Sequence, residues 1–128
     1  MPGEIILIVD DDERSIELTR DVLEAHGYLV YSATTGHDAL KLAREIQPGL
    51  ILMDIRIPGM DGLDVTRALQ DDDATRQIPV VALTACALIG NENNVFAAGC
   101  IGYITKPIDT HRFPLDVARY LKMTAESH

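Results

Sequence analysis

At 128 residues the chain is sized for one domain with one core, and an apolar content of 47% excludes a disordered tail or low-complexity linker as its main content. A formal charge of −9, with only 11 scattered Lys and Arg, excludes direct binding to a nucleic-acid backbone. No apolar run approaches the ~20 residues that cross a bilayer, and Met1-Pro2-Gly3-Glu4 lacks the basic stretch of a signal peptide, so no membrane association and a cytoplasmic location are expected. Cys86 and Cys100 are too few and too far apart for a disulfide framework or a zinc site, and read as two small thiols in a reducing compartment.

Ile5-Ile6-Leu7-Ile8-Val9 opens the chain as a continuously apolar strand. A helix follows, with Ile16, Thr19, Val22, Leu23 and His26 at helical spacing and Gly27 placed to end it. Leu29-Val30-Tyr31 is the second strand, and Ala39, Leu40, Ala43 and Ile46 form the second helical stripe, stopped by Pro48-Gly49. Leu50-Ile51-Leu52-Met53 is the third strand. The third helix, carrying Leu63, Val65, Thr66 and Leu69, opens after Pro58-Gly59-Met60-Asp61-Gly62, and Asp71-Asp72-Asp73 beyond it reads as a solvated loop. Val80-Val81-Ala82-Leu83 is the fourth strand, and a helix from Ile89 to Ala98 follows, held on the sheet by Val95 and Phe96 despite Gly90 and its asparagines. Ile101-Gly102-Tyr103-Ile104 is the fifth strand, and Thr110 to Met123 the fifth helix, capped by Asp109; Pro114 within its first turns predicts a late start or a kink. Strict β–α alternation with continuously apolar strands implies an α/β fold, a parallel sheet with helices on both faces. The absence of G-x-G-x-x-G after the first strand disfavours dinucleotide binding.

In such sheets a site forms outside the carboxyl ends of the strands. Asp10, Asp11 and Asp12 follow the first strand, Asp54 ends the third, Thr84 follows the fourth and Lys106-Pro107 follows the fifth. Gathered carboxylates repel one another and call for a hard divalent cation, and an all-oxygen set suits magnesium better than zinc. Taken singly, each residue has a plainer role. Asp10 to Asp12 can cap a helix, Asp12 being the expected cap, Thr84 can be a turn residue, and Lys106 can be solvated. Asp54 resists that treatment, because an acid ending an apolar strand carries a desolvation cost unless it has partners.

Four segments carry a family resemblance in order and spacing: Ile6-Leu7-Ile8-Val9-Asp10-Asp11; Leu52-Met53-Asp54 through Asp61-Gly62; Leu83-Thr84-Ala85; and Gly102-Tyr103-Ile104-Thr105-Lys106-Pro107. The set resembles the receiver domains of two-component response regulators, over nearly the whole chain, and looks most like stand-alone regulators and receivers joined to hybrid histidine kinases. The resemblance implies a flavodoxin-like (βα)5 three-layer sandwich with strand order 2-1-3-4-5 across a single receiver domain, 1–128. It implies that Asp54 accepts a phosphoryl group from a histidine kinase or histidine phosphotransfer protein, with Mg2+ as cofactor. Asp11, Asp54 and the Arg56 backbone carbonyl would hold the metal, Asp10 acting mainly through water. Lys106 would pair with the phosphoryl oxygens, Thr84 would donate to one of them, and Tyr103 would be the aromatic partner of Thr84 in a switch. Pro107 would follow a cis peptide bond, and the signal would reach a downstream effector through helix four, strand five and helix five. No enzyme beyond self-phosphorylation and dephosphorylation is implied.

Two other readings compete. A haloacid-dehalogenase-like phosphatase would use the Asp10-x-Asp12 spacing, but Arg14 stands where that motif prefers Thr or Val, and Asp54 would have no task. A pseudo-receiver signalling by contacts alone would not need the complete acidic set. The start at Met1 and the short tail Thr124 to His128 lean toward a stand-alone regulator over a domain of a hybrid kinase.

Overall fold

The computed structural model describes residues 4–57, 60–84, 91–106 and 108–126. Its principal sheet is built from β1 (Ile5–Val9), β2 (Leu29–Ala33), β3 (Leu50–Asp54), β6 (Val80–Thr84) and β7 (Gly102–Thr105), all parallel, in spatial order β2-β1-β3-β6-β7. Counted along the five parallel strands, that is the flavodoxin-like order 2-1-3-4-5. A short antiparallel pair, β4 (Arg56–Ile57) with β5 (Met60–Asp61), follows the third parallel strand. Sequence patterning missed it, because two-residue strands carry no periodicity.

Strand alternation divides the core into two layers. Leu7, Val9, Ile51, Met53, Val80 and Ala82 face helices α2 (Gly36–Ile46), α3 (Gly62–Asp71) and α4 (Asn91–Ala98). Ile6, Ile8, Leu50, Leu52, Val81 and Leu83 face α1 (Glu13–Glu24) and α5 (Phe113–Glu126), where Phe113, Val117 and Leu121 are buried. All ten residues of β3 and β6 are buried, which is why these strands read as unbroken apolar runs in the sequence.

Asp12 caps α1 by accepting from the Arg14 N–H at 3.0 Å, as expected. His26 does not join the buried stripe of that helix: α1 ends at Glu24, and His26 is exposed in the turn beyond, its ring Nδ1 2.9 Å from the Val22 carbonyl. Gly27, at φ 91°, closes that turn in the left-handed region. On α4, Val95 is buried but Phe96 is 51% exposed, so Val95 alone of the expected pair anchors it. The start expected for that helix at Ile89, together with Cys86, lies outside the described residues.

The second acidic cluster is more than a solvated loop. The Asp72 carboxylate accepts from the Ala74 N–H at 2.9 Å and pairs with Arg44 of α2. The Ala74 N–H and then Arg44 hold its carboxyl below the usual carboxylate range. Pro114 acts by delaying α5. Residues 110–112 form a turn whose Asp109 carboxylate accepts from the His111 and Arg112 N–H groups, and the helix begins at Phe113. Pro114 then falls in the first turn, where a missing N–H has no intrahelical partner to lose.

Gly102 leaves room for Tyr120: a Cβ there would lie 2.4–2.6 Å from the phenol ring. Gly102→Ala is therefore expected to lower stability by about 1–3 kcal/mol in urea unfolding. The cost should shrink in a Tyr120→Leu background; equal costs in both would show that the contact is not its source.

Candidate functional site

Parallel pairing brings the chemistry to one sheet edge. Val9 is in register with Met53 and Asp54 with Leu83, so Asp10 emerges beside Asp54, with Thr84 one residue further along the neighbouring strand. Thr84 pairs with Thr105, which places Lys106 directly beyond the same edge, its N–H donating to the Thr84 carbonyl at 2.8 Å.

Asp10 is 1% exposed and Asp54 8% exposed, burial that an unpaired carboxylate would tolerate poorly. The Lys106 ammonium lies between them, donating to Asp10 Oδ2 at 2.7 Å and Asp54 Oδ2 at 3.1 Å. The second Asp10 oxygen accepts from the Asp12 N–H at 2.9 Å, so both Asp10 oxygens are engaged. Partial burial alone would lower the Lys106 pKa. Hydrogen bonds and charge attraction from Asp10 and Asp54 outweigh it and hold the ammonium above its usual range.

Asp10, Asp11 and Asp54 each present a carboxylate oxygen, all within 4.8 Å of one another, Asp11 being exposed and the other two buried. Three carboxylates against one ammonium leave two formal negative charges at the cluster. A hard divalent cation matches that excess and that oxygen set, so the residues fit magnesium. Arg56 begins β4 two residues past Asp54.

Thr84 is 8% exposed at the end of β6. Tyr103 is half-buried against the layer that holds α2, α3 and α4, and it pairs in register with Ala82. Since Ala82 and Thr84 share a sheet face, Tyr103 and Thr84 are diagonal neighbours on that face. The structure thus brings Asp10 and Asp54 into contact with Lys106, places an Asp11 oxygen within 4.8 Å of their carboxylates, and sets Thr84 and Tyr103 on the adjoining strands; Pro107 lies outside the described residues.

Sequence reasoning missed two features. Lys106 is held by Asp10 as well as by Asp54, a pairing foreshadowed by a lone lysine facing a surplus of acids. Gly62 also lies hard against the Asp54 backbone; in the sequence it was marked only by its place at the opening of the third helix and at the end of the segment that begins Leu52-Met53-Asp54.

Residues 6–117 match the family of response regulator receiver domains. The polar-differentiation response regulator DivK of Brucella anthropi is 47% identical over 116 residues, covering 91% of this chain and 94% of that protein. DivK of Brucella ovis matches over the same shares at the same identity. Among solved structures, a response regulator from Chloroflexus aurantiacus superposes with a TM-score of 0.88 at 30% identity, covering 94% of this chain and 98% of its own. The receiver domain of a sensor histidine kinase from Pseudomonas aeruginosa, with a magnesium ion coordinated in its active-site cleft, gives 0.86 at 32% identity, over 94% and 98%.

Removing the ammonium from between the two carboxylates should be costly without a divalent cation. Lys106→Met in chelator is expected to lose about 1–3 kcal/mol of stability. Adding Asp10→Asn should recover part of that loss, and strictly additive costs in urea unfolding would contradict a direct pairing.

Proposed function

The chain belongs to the response regulator receiver family of two-component signalling, and on that premise we propose that Asp54 is its phosphoacceptor. The observation that carries this reading is the single cluster in which Asp54, at the end of the central strand, meets Lys106 and shares a cation-sized space with Asp10 and Asp11. A carboxylate oxygen of Asp54 attacks the phosphorus of a phosphohistidine on a histidine kinase or histidine phosphotransfer protein. An acyl phosphate forms as the P–N bond breaks, and its electron pair leaves with the imidazole. Phosphoryl transfer asks for in-line positioning and neutralised oxygen charge more than for proton transfer.

This chain's residues meet those needs. Lys106 moves its ammonium from Asp54 Oδ2 to an incoming phosphoryl oxygen, a short shift from its present 3.1 Å contact. Asp11, Asp54 and the Arg56 carbonyl would hold magnesium, with Asp10 joining through water, and the bound ion would offset charge on the transferring group. Thr84 donates its hydroxyl to the phosphoryl group. Tyr103, its diagonal neighbour, follows that movement and carries the signal toward α4, β7 and α5, where a downstream effector docks. A cavity of about 460 Å3 between β7 and α5, lined in part by Tyr103, Arg112, Asp116 and Tyr120, lies on that route. The chain acts as one receiver, 1–128, modifying itself and not turning over small substrates. No helix among the described residues is long and apolar enough to cross a membrane, and the cytoplasm is the proposed location.

Two outcomes are expected. Acetyl phosphate with magnesium should add one phosphoryl group at Asp54, visible by intact mass, and Asp54→Asn should abolish it; undiminished labelling in that variant would refute the assignment. Magnesium at a hundred times its dissociation constant should raise unfolding stability by about 2.7 kcal/mol. An Asp11→Ala protein that responds as strongly as the parent would remove Asp11 from the metal site.

A further inference from the structure

Gly62, the first residue of α3, has no space for a side chain. A Cβ built on it would lie 2.3 Å from the Asp54 carbonyl oxygen, 2.8 Å from Ile55 Cα and 3.0 Å from the Asp54 carbonyl carbon. All three are backbone atoms, which cannot rotate aside as a flexible side chain can. The start of α3 is therefore seated directly on the peptide that carries the phosphoacceptor.

Hydrogen bonds lock the seat from both sides. The Gly62 N–H donates to the Ile55 carbonyl at 2.8 Å, while the Ile55 N–H donates across the sheet to the Leu83 carbonyl at 3.2 Å. The Gly62 carbonyl accepts from the hydroxyl of Thr66, which is fully buried, at 2.9 Å. Asp61 fixes the helix start from outside, its carboxylate accepting from the Leu63 N–H at 2.8 Å. The Asp54–Ile55 peptide is thus held between β6 and the bare first turn of α3.

We propose that Gly62 is a positioning residue for the chemistry at Asp54: the helix start it allows sets where the Asp54 carboxylate stands. The proposal rests on Asp54 being the phosphoacceptor. Ordinary contact begins at 3.4 Å, against the 2.3 Å available, so any side chain at position 62 moves the Asp54 peptide or α3 by about 1 Å. A displacement of about 1 Å at a reacting group costs on the order of 100-fold in rate.

The test measures acetyl phosphate labelling of Asp54 at saturating magnesium, with amide NMR spectra of the same proteins. Gly62→Ala should label on the order of 100-fold more slowly than the parent, with shifted Asp54 and Ile55 resonances. Leu69→Ala, buried in the same helix, serves as a destabilised control; it should label at the parent rate wherever it is folded. A Gly62→Ala rate within about threefold of the parent, or an equal loss in folded Leu69→Ala, overturns the proposal. If Gly62→Ala does not fold, the exposed cap decides. Asp61→Ala should label about fivefold more slowly, and Asp61→Ser, which keeps a capping oxygen but not the charge, should return to the parent rate. Equal rates in the Ala and Ser proteins overturn the proposal. A parent that is not labelled at Asp54 refutes the phosphoacceptor reading itself, and the role of Gly62 falls with it.

Discussion

The Lys106 ammonium between Asp10 and Asp54 is the contact on which the arrangement at the sheet edge depends. Asp10, Asp54 and Lys106 extend from β1, β3 and β7, and their contact requires those strands to end level. Two buried carboxylates a few Å apart are mutually repulsive, and only a cation between them makes the assembly tolerable. Such ion pairs add little net stability compared with an apolar core, because desolvation offsets attraction. Their value here is geometric: the ammonium joins the ends of β1, β3 and β7 at the acidic cluster, linking strands at opposite sides of β3 and β6.

The apolar layers make that geometry rigid. Residues on both faces of β3 and β6 are fully buried, so these strands cannot slip by one residue without turning their inward sets over. Functional groups placed at the ends of such strands inherit the precision of the core beneath them. The same rigidity explains why a single methyl at position 62 matters. The seat beneath Asp54 is made of backbone on both sides, and a close-packed interior has no slack to absorb it.

The sheet, the five helices and the gathering of Asp10, Asp54, Thr84 and Lys106 at one edge were legible because they follow from local rules. Buried parallel strands read as apolar runs, and the first residue past each strand falls at the carboxyl edge. Less was legible where tertiary contact decides. His26 has the spacing of a buried residue but stands past the end of α1, which Ala25 to Gly27 unwind into a turn. Asp72 looks like part of a solvated charge run, yet its carboxylate closes a local turn and reaches Arg44, a residue 28 positions away. The late start of α5 was half legible: Pro114 announced a disturbance, while the turn through residues 110–112 that resolves it depends on Asp109 accepting from two N–H groups at once.

Strand β7 joins the site to the rest of the molecule. Its far end carries Lys106, tied to both carboxylates, and its first residue, Gly102, is pressed against the Tyr120 ring of α5. Between them the Tyr103 carbonyl accepts from the Tyr120 hydroxyl at 3.4 Å. A strand of four residues, bonded to β6 along one side and packed on α5, has few internal freedoms with which to absorb a displacement. Motion of Lys106 toward a new anionic partner therefore bears on the packing of Tyr120, because close-packed interiors transmit strain. The Cys100 thiol just before this strand is pushed up to about 11 by burial, which keeps it neutral at physiological pH. At this junction, then, Lys106 brings charge to the end of β7, and the link from there to α5 includes the steric contact at Gly102 and the hydrogen bond from the Tyr120 hydroxyl to the Tyr103 carbonyl.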